Sequence, residues 1–178
     1  MKPINIAALG GAFLLAGMSG IARGAGPTDP QIAAIVVTAN QVDIDAGRFA
    51  ASKTRTGDVK AFAEQMIADH GAVNKSAEEL VQRLGVKPED NSTSESLKQG
   101  GDVNIAKLKA MEEKRFDKAY IDHEVAYHEQ VLAALDKTLI PSAQNAELKA
   151  LLVKVRPAFV AHLEHARQLQ ASLAKNGA

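Results

Sequence analysis

The sequence contains no cysteine and no tryptophan, and aromatic residues make up only 4% of its 178 positions. Without cysteine there is no disulfide framework, no thiolate metal site and no lipid-bearing cysteine anchor. The domain must stand on its apolar core alone. Few aromatics among 46% hydrophobic residues, most of them Ala and Leu, favour closely packed helices over a sandwich of sheets. Charge of one sign is also lacking: 21 basic residues face 21 acidic ones with the signs interspersed, which offers no field for nucleic acid. No Gly-rich turn follows a strand, so phosphate loops and nicotinamide motifs are excluded, and no nucleophile triad is legible. Beyond residue 26 no apolar run reaches the about 20 residues of a membrane-spanning helix. Nor does any strand-like alternation suggest a barrel.

The first 26 residues read as a secretory signal peptide of bacterial type. Lys2 gives a positive start, an uncharged and mostly apolar stretch runs from Ile4 to Met18, and small residues follow at Gly20, Ala22, Gly24 and Ala25. Cleavage is expected between positions 22 and 26, and the mature domain at 27–178 in the periplasm. Lys2 and Arg23 are removed with a leader that holds no acid, leaving 19 basic against 21 acidic residues.

What remains is strongly periodic. Thr28-Asp29-Pro30-Gln31 matches a capping box with Pro in the first turn. Behind it Ile32, Ile35, Val36, Ala39, Val42, Ala46, Phe49 and Ala50 recur at helical spacing. Gly57 is expected to end this helix and Asp58 to cap the next, which carries Val59, Phe62, Met66, Val73, Leu80 and Leu84 up to a stop at Gly85. A polar crossover over 87–101 is expected to hold one short helix near Ser94–Gln99, with Gly100-Gly101 as a weak point. A third helical region begins near Asp102, bends around Glu112–Lys114, and has its main body from about Arg115 to Leu139. Ile140-Pro141-Ser142 is read as a loop, and a fourth helix spans about Asn145–Lys175 with a kink expected at Pro157. The fold class is all-α: an antiparallel four-helix bundle with an elaborated crossover between its second and third long helices.

Chemistry-bearing side chains fall on the faces that should be buried. At about 100° per residue, Asp43 lies close to the stripe centre of the first helix while Asp45 faces out. His70 sits mid-stripe on the second helix and His162 on the fourth. On the third, Glu124 lies inside the apolar arc with His123 and His128 on either side. Asp43 stands fourteen residues before Gly57 and His70 thirteen after it, so the two should face each other at one level. Counting from Ser142 matches His162 with His123 and Glu124, and puts His128 about 8 Å nearer the loop. His128 and His165, near the stripe edges, are expected to be half-exposed. Met66 is expected in the core, and Tyr120 and Tyr127 as packing residues with a hydroxyl partner.

Buried charge is costly unless paired or coordinated. A transition metal (Zn, Cu, Ni or Fe) would satisfy Asp43, His70, His123, Glu124, His128 and His162 together, with His165 and Asp69 as secondary candidates. Metal-free hydrogen-bonded Asp–His and Glu–His pairs would satisfy them too.

Ala39-Asn40-Gln41-Val42-Asp43-Ile44, Val59-Lys60-Ala61-Phe62-Ala63 with Met66 and Asp69-His70, Phe116-Asp117-Lys118-Ala119-Tyr120, and Pro157 followed by His162-Leu163 together resemble a bacterial family, the domain of unknown function 4142. Its members are often described as predicted outer membrane proteins. The resemblance runs from about Asp29 to Leu169 and implies export and a ferritin-like fold. It also implies a carboxylate at Asp43, an Asp-His pair at Asp69-His70, and histidines at His128 and His162. It departs in having Tyr127 where an Asp is usual, and in the extra His123 and His165. It favours His128 where the depth count favours His123 and Glu124.

Three functions follow as expectations. The first is a periplasmic protein that holds a transition metal in its bundle for sequestration or envelope stress. The second is a non-catalytic interaction module built on a metal-free network. The third is a di-iron oxidase, disfavoured because such centres take Glu from two helices and Glu-x-x-His from the other two, and Glu124 is followed by Tyr127 instead. Whether the chain is an enzyme stays open at this point, with the balance of motifs against it.

Overall fold

The computed structural model describes residues 26–176, so the leader read at 1–26 lies, but for Gly26, outside the described residues. These residues are helical and contain no strand. Helix α1 (Asp29–Lys53) opens on the expected capping box, the Thr28 hydroxyl accepting from the Gln31 amide and the Gln31 side chain accepting from the Thr28 amide. A cap of this kind is worth about 1 kcal/mol. Helix α2 (Gly57–Leu84) ends at Gly85, whose φ of 64° is the left-handed conformation that favours glycine.

The turn between them differs from expectation. Gly57 does not terminate α1; it is the first residue of α2, and the chain turns through Thr54-Arg55-Thr56, with Thr54 and Thr56 extended. The crossover differs more. Helix α3 (Ser92–Ala110) is one continuous helix, capped by Asn91, through the Gly100-Gly101 pair that was expected to weaken it. It runs alongside α1: Asn91 donates to the Gln31 carbonyl, and Gly101 lies against Val42. A Cβ on Gly101 would come within 2.9 Å of the Val42 methyls, so glycine here serves close approach of two helices rather than a break.

Helix α4 (Glu113–Ala134) passes into a π-helical turn (Leu135–Leu139) and a short turn of helix α5 (Ile140–Ser142), where a loop was expected. The Ile140 amide donates to the Leu135 carbonyl, five residues back. Pro141 follows without an N–H, so the ordinary ladder fails here and a wider turn takes its place. Helix α6 (Ala146–Asn176) runs on through Pro157. The carbonyl that Pro157 leaves without a donor belongs to Val153, which is 52% exposed and open to water.

The interior forms two apolar clusters. One joins Ala46, Ala50, Phe62, Met66, Phe116, Tyr120, Leu163 and Ala166. The other joins Ile32, Ile35, Leu80, Leu135, Leu148, Leu152 and Phe159. Each draws on α1, α2, α4 or its π turn, and α6. Between the clusters, by position along these helices, lie buried Asp43, His70, Glu124, His128 and His162. No helix among the described residues is long and apolar enough to cross a membrane.

Candidate metal centre

Four helices deliver five ionisable side chains to one level of the interior: Asp43 from α1, His70 from α2, Glu124 and His128 from α4, and His162 from α6. All are buried, none more than 2% exposed. The three imidazoles form a near-equilateral triangle, with ring centroids 5.5 Å apart for His70–His128, 5.3 Å for His70–His162 and 5.4 Å for His128–His162. Asp43 Oδ2 lies 2.7 Å from His70 Nε2 and 3.6 Å from His128 Nε2, and Glu124 Oε2 lies 3.6 Å from His128 Nδ1.

The outward nitrogen of each histidine is held. Asn40 Oδ1 is 2.7 Å from His70 Nδ1, the Glu124 backbone carbonyl 3.0 Å from His128 Nδ1, and Asp69 Oδ2 2.9 Å from His162 Nε2. All three partners are acceptors, so each of these nitrogens carries the proton. His128 and His162 then keep a lone pair on the other nitrogen, Nε2 and Nδ1 respectively, whereas His70 Nε2 lies 2.7 Å from Asp43 Oδ2, a contact that needs a proton between the two atoms. His128 Nε2 and His162 Nδ1 are buried without a hydrogen-bond partner, as are Asp43 Oδ1 and both carboxylate oxygens of Glu124. Two triads, His70–His128–His162 and Asp43–Glu124–His128, each bring their donor atoms within 4.8 Å of one another.

The electrostatics fit this picture. Burial alone would raise the Asp43 carboxyl, but the adjacent imidazoles, His70 first, outweigh it and hold it at about 2. Burial and the Asp43 charge push the Glu124 carboxyl well above its ordinary range, so the two carboxylates do not both ionise readily. Burial depresses His128 to about 4 and also lowers His162, so both are neutral near pH 7. The Tyr120 hydroxyl, buried and without a partner, is raised by burial and by the Glu124 and Asp43 charges.

The sequence candidates divide accordingly. His128, expected at a half-exposed edge, is fully buried, whereas His123 is half-buried. His123 stacks on Tyr127 at 5.7 Å and faces Asn104 and Lys107 of α3, outside both triads. The count from Ser142 favoured it because the helical turn through Ser142 moves the true reversal to about Gln144, and because α3 claims that side of α4. His165 is also outside, its Nδ1 3.2 Å from Gln65 Oε1 and its ring edge-on to Phe62. Asp69 serves His162 on another helix rather than its neighbour His70. Tyr127 has the expected partner, donating to the Ala39 carbonyl at 2.8 Å, and Tyr120 does not. Met66 is fully buried in the core. Asn40 had no assigned role. Its position three residues before Asp43 puts it on the same helical face, which was the available signal.

Residues 17–169 match the family described as Domain of unknown function (DUF4142). The chain belongs to this family. No curated protein and no solved structure matches it. The matched span contains every residue of both triads and their outer partners.

Proposed function

We propose that the chain is an exported, periplasmic, ferritin-like protein in which α1, α2, α4 and α6 form a four-helix bundle around one transition-metal site, with α3 strapped along α1. His70 Nε2, His128 Nε2, His162 Nδ1 and an Asp43 oxygen are the ligands, with Glu124 beside them as an additional carboxylate. The observation that carries the reading is the set of fixed tautomers. Three buried histidines each give an N–H to an outer acceptor, which orients the ring as metal-binding imidazoles require; His128 and His162 leave a lone pair inside, and a metal would displace the proton that His70 shares with Asp43. A donor set of imidazoles with one or two carboxylates suits Zn, Cu or Fe. Its role would be sequestration or tolerance of envelope stress rather than catalysis, since the carboxylate-rich pattern of di-iron oxidases is not met.

Metal analysis of protein recovered from the periplasm tests this, with the His70→Ala/His162→Ala double variant beside it. About one equivalent of metal per chain is expected, lost in the variant, together with a rise in melting temperature on adding Zn²⁺ or Cu²⁺ to the apoprotein. The mass of the recovered chain should place its first residue between positions 23 and 27. Absence of metal and of any thermal response sinks the reading.

A metal-free network with an interaction role is the second reading. It is favoured by the 2.7 Å approach of His70 to Asp43, which a charged pair would also produce. It predicts unchanged melting with either metal.

A further inference from the structure

A cavity of about 230 Å³ lies beside the polar layer, on the side of the aliphatic cluster. Its wall is made by Ile35, Val131, Leu135, Leu139, Leu152 and Phe159, so it is apolar along nearly its whole length. At the inner end it meets His70 and Asn40. At the outer end it reaches the surface between α3 and α4, beside exposed Thr93, Gln130 and Ala134. The widened backbone of the π turn supplies part of this wall, with Leu135 and Leu139 both buried. Such turns occur frequently at functional sites.

We propose that this cavity is a binding site for a small neutral molecule, mainly apolar and about one ring in size, that carries a single oxygen acceptor at its leading end. The volume sets the size. An apolar cavity of 150 Å³ takes up benzene, so this one matches about nine non-hydrogen atoms. The inner end sets the polar group. Asn40 gives its amide oxygen to His70, which leaves the amide NH₂ as the donor there, and the Tyr127 hydroxyl is already committed to the Ala39 carbonyl. A hydroxyl or carbonyl oxygen on the ligand would accept from that NH₂.

The lining also sets the charge. Among the described residues no lysine or arginine lines the cavity. An anion would enter without a cationic partner, which is costly in an apolar surround. This excludes fatty acids and aromatic carboxylates and selects phenols, ketones or quinone-like rings. The proposal does not depend on the neighbouring cluster holding a metal, since the cavity wall and Asn40 are present either way.

Isothermal titration of the mature chain with p-cresol, and separately with 4-methylbenzoate, tests it in both chelator-treated and Zn²⁺-loaded protein. Expected is saturable binding of p-cresol at one site per chain, with 4-methylbenzoate weaker by about tenfold or more. Ala134→Trp, at the exposed mouth, should cork the entrance and weaken p-cresol by about tenfold while leaving Zn²⁺ uptake unchanged. Thr93→Trp does the same from the opposite rim, and both positions are exposed enough to spare the core. The chain has no other tryptophan, so quenching of the new indole by p-cresol reports occupancy at the mouth directly. The proposal is overturned if p-cresol fails to bind in either metal state, if both corks leave its affinity unchanged, or if 4-methylbenzoate binds as well. Failure of Zn²⁺ to bind overturns the metal reading alone.

Discussion

The two apolar halves of the interior, which sandwich the polar layer, are built differently. The half formed by Phe62, Met66, Phe116 and Tyr120 is aromatic, with edge-to-face pairs Phe49–Phe116 at 5.8 Å and Phe62–Tyr120 at 6.2 Å. The other half is almost wholly aliphatic, contains the π turn, and borders the cavity. One half places its few large rings in edge-to-face pairs, while the other leaves an apolar cavity that reaches His70. The polar layer is thus anchored from one side and accessible from the other, an arrangement that suits a site with an occupant.

The sharpest test of that difference is truncation on either side. Phe62→Ala, in the aromatic half, should cost about 4 kcal/mol of unfolding free energy. Leu139→Ala, in a wall that already borders a cavity, should fall near the low end for its type, about 2 kcal/mol. Urea melts of the two variants read this directly, and equal losses would erase the distinction between the halves.

The layer between them should answer to pH. Folded His128 titrates at about 4 against an ordinary 6.5, because burial disfavours its charged form. Below pH 6.5 the unfolded chain therefore binds a proton that the folded chain refuses. Stability from this residue is complete above 6.5 and falls as pH drops toward 4, by about 3 kcal/mol in total. Glu124 works in the opposite direction. Its folded value is raised, so its contribution is complete below about 4.5 and is lost as pH rises through the folded value. In metal-free protein, His128→Leu should flatten the loss between pH 6.5 and 4, and Glu124→Gln should raise the melting temperature above neutrality. Melts across a pH series in chelator check both. If neither variant changes the profile, the layer does not titrate as its burial requires.

The outer partners rank next. Asp69 is half-exposed yet holds Nε2 of fully buried His162. Asp69→Asn removes the charge and leaves an amide whose oxygen still accepts, so metal affinity should fall by about tenfold without loss of fold. Titration of chelator-treated protein measures it. An unchanged affinity would mean that the ring is oriented by packing alone.

Much of this was legible in the sequence, for physical reasons that also mark where legibility stopped. The stripe on α1 and the one on α2 each set a face, so Asp43 and His70 could be paired by counting from one tight turn, and a turn placed at Gly57 instead of at Thr54–Thr56 changed that count little. The helical nature of α4 and α6 was equally plain. The register between them was not, because the π turn and the α5 turn add helical rotation that no apolar spacing encodes. For that reason His123 and His128 could not be separated by counting. The hydrogen bonds that fix the tautomers come from an amide, a backbone carbonyl and a carboxylate on a different helix, and only tertiary placement brings these to the rings. The continuity of α3 was hidden by its two glycines, which propensity reads as weakness.

Those glycines give the smallest and cleanest comparison. Replacing a mid-helix glycine with alanine normally gains about 0.5–1 kcal/mol, because the unfolded chain loses freedom and the helix loses none. A Cβ on Gly100 would meet nothing within 4 Å, so Gly100→Ala should show the full gain. A Cβ on Gly101 would meet both Val42 methyls at 2.9 Å, and Val42 is a stiff branched side chain beside Asp43. Gly101→Ala must therefore push α3 away from α1, and the gain should vanish or reverse by about 1 kcal/mol. Thermal melts of the neighbouring pair isolate the contact, since composition and helix position are otherwise shared. If both variants stabilise alike, α3 is not held against α1 at this level, and the cavity mouth between α3 and α4 is free to open further than the fold suggests.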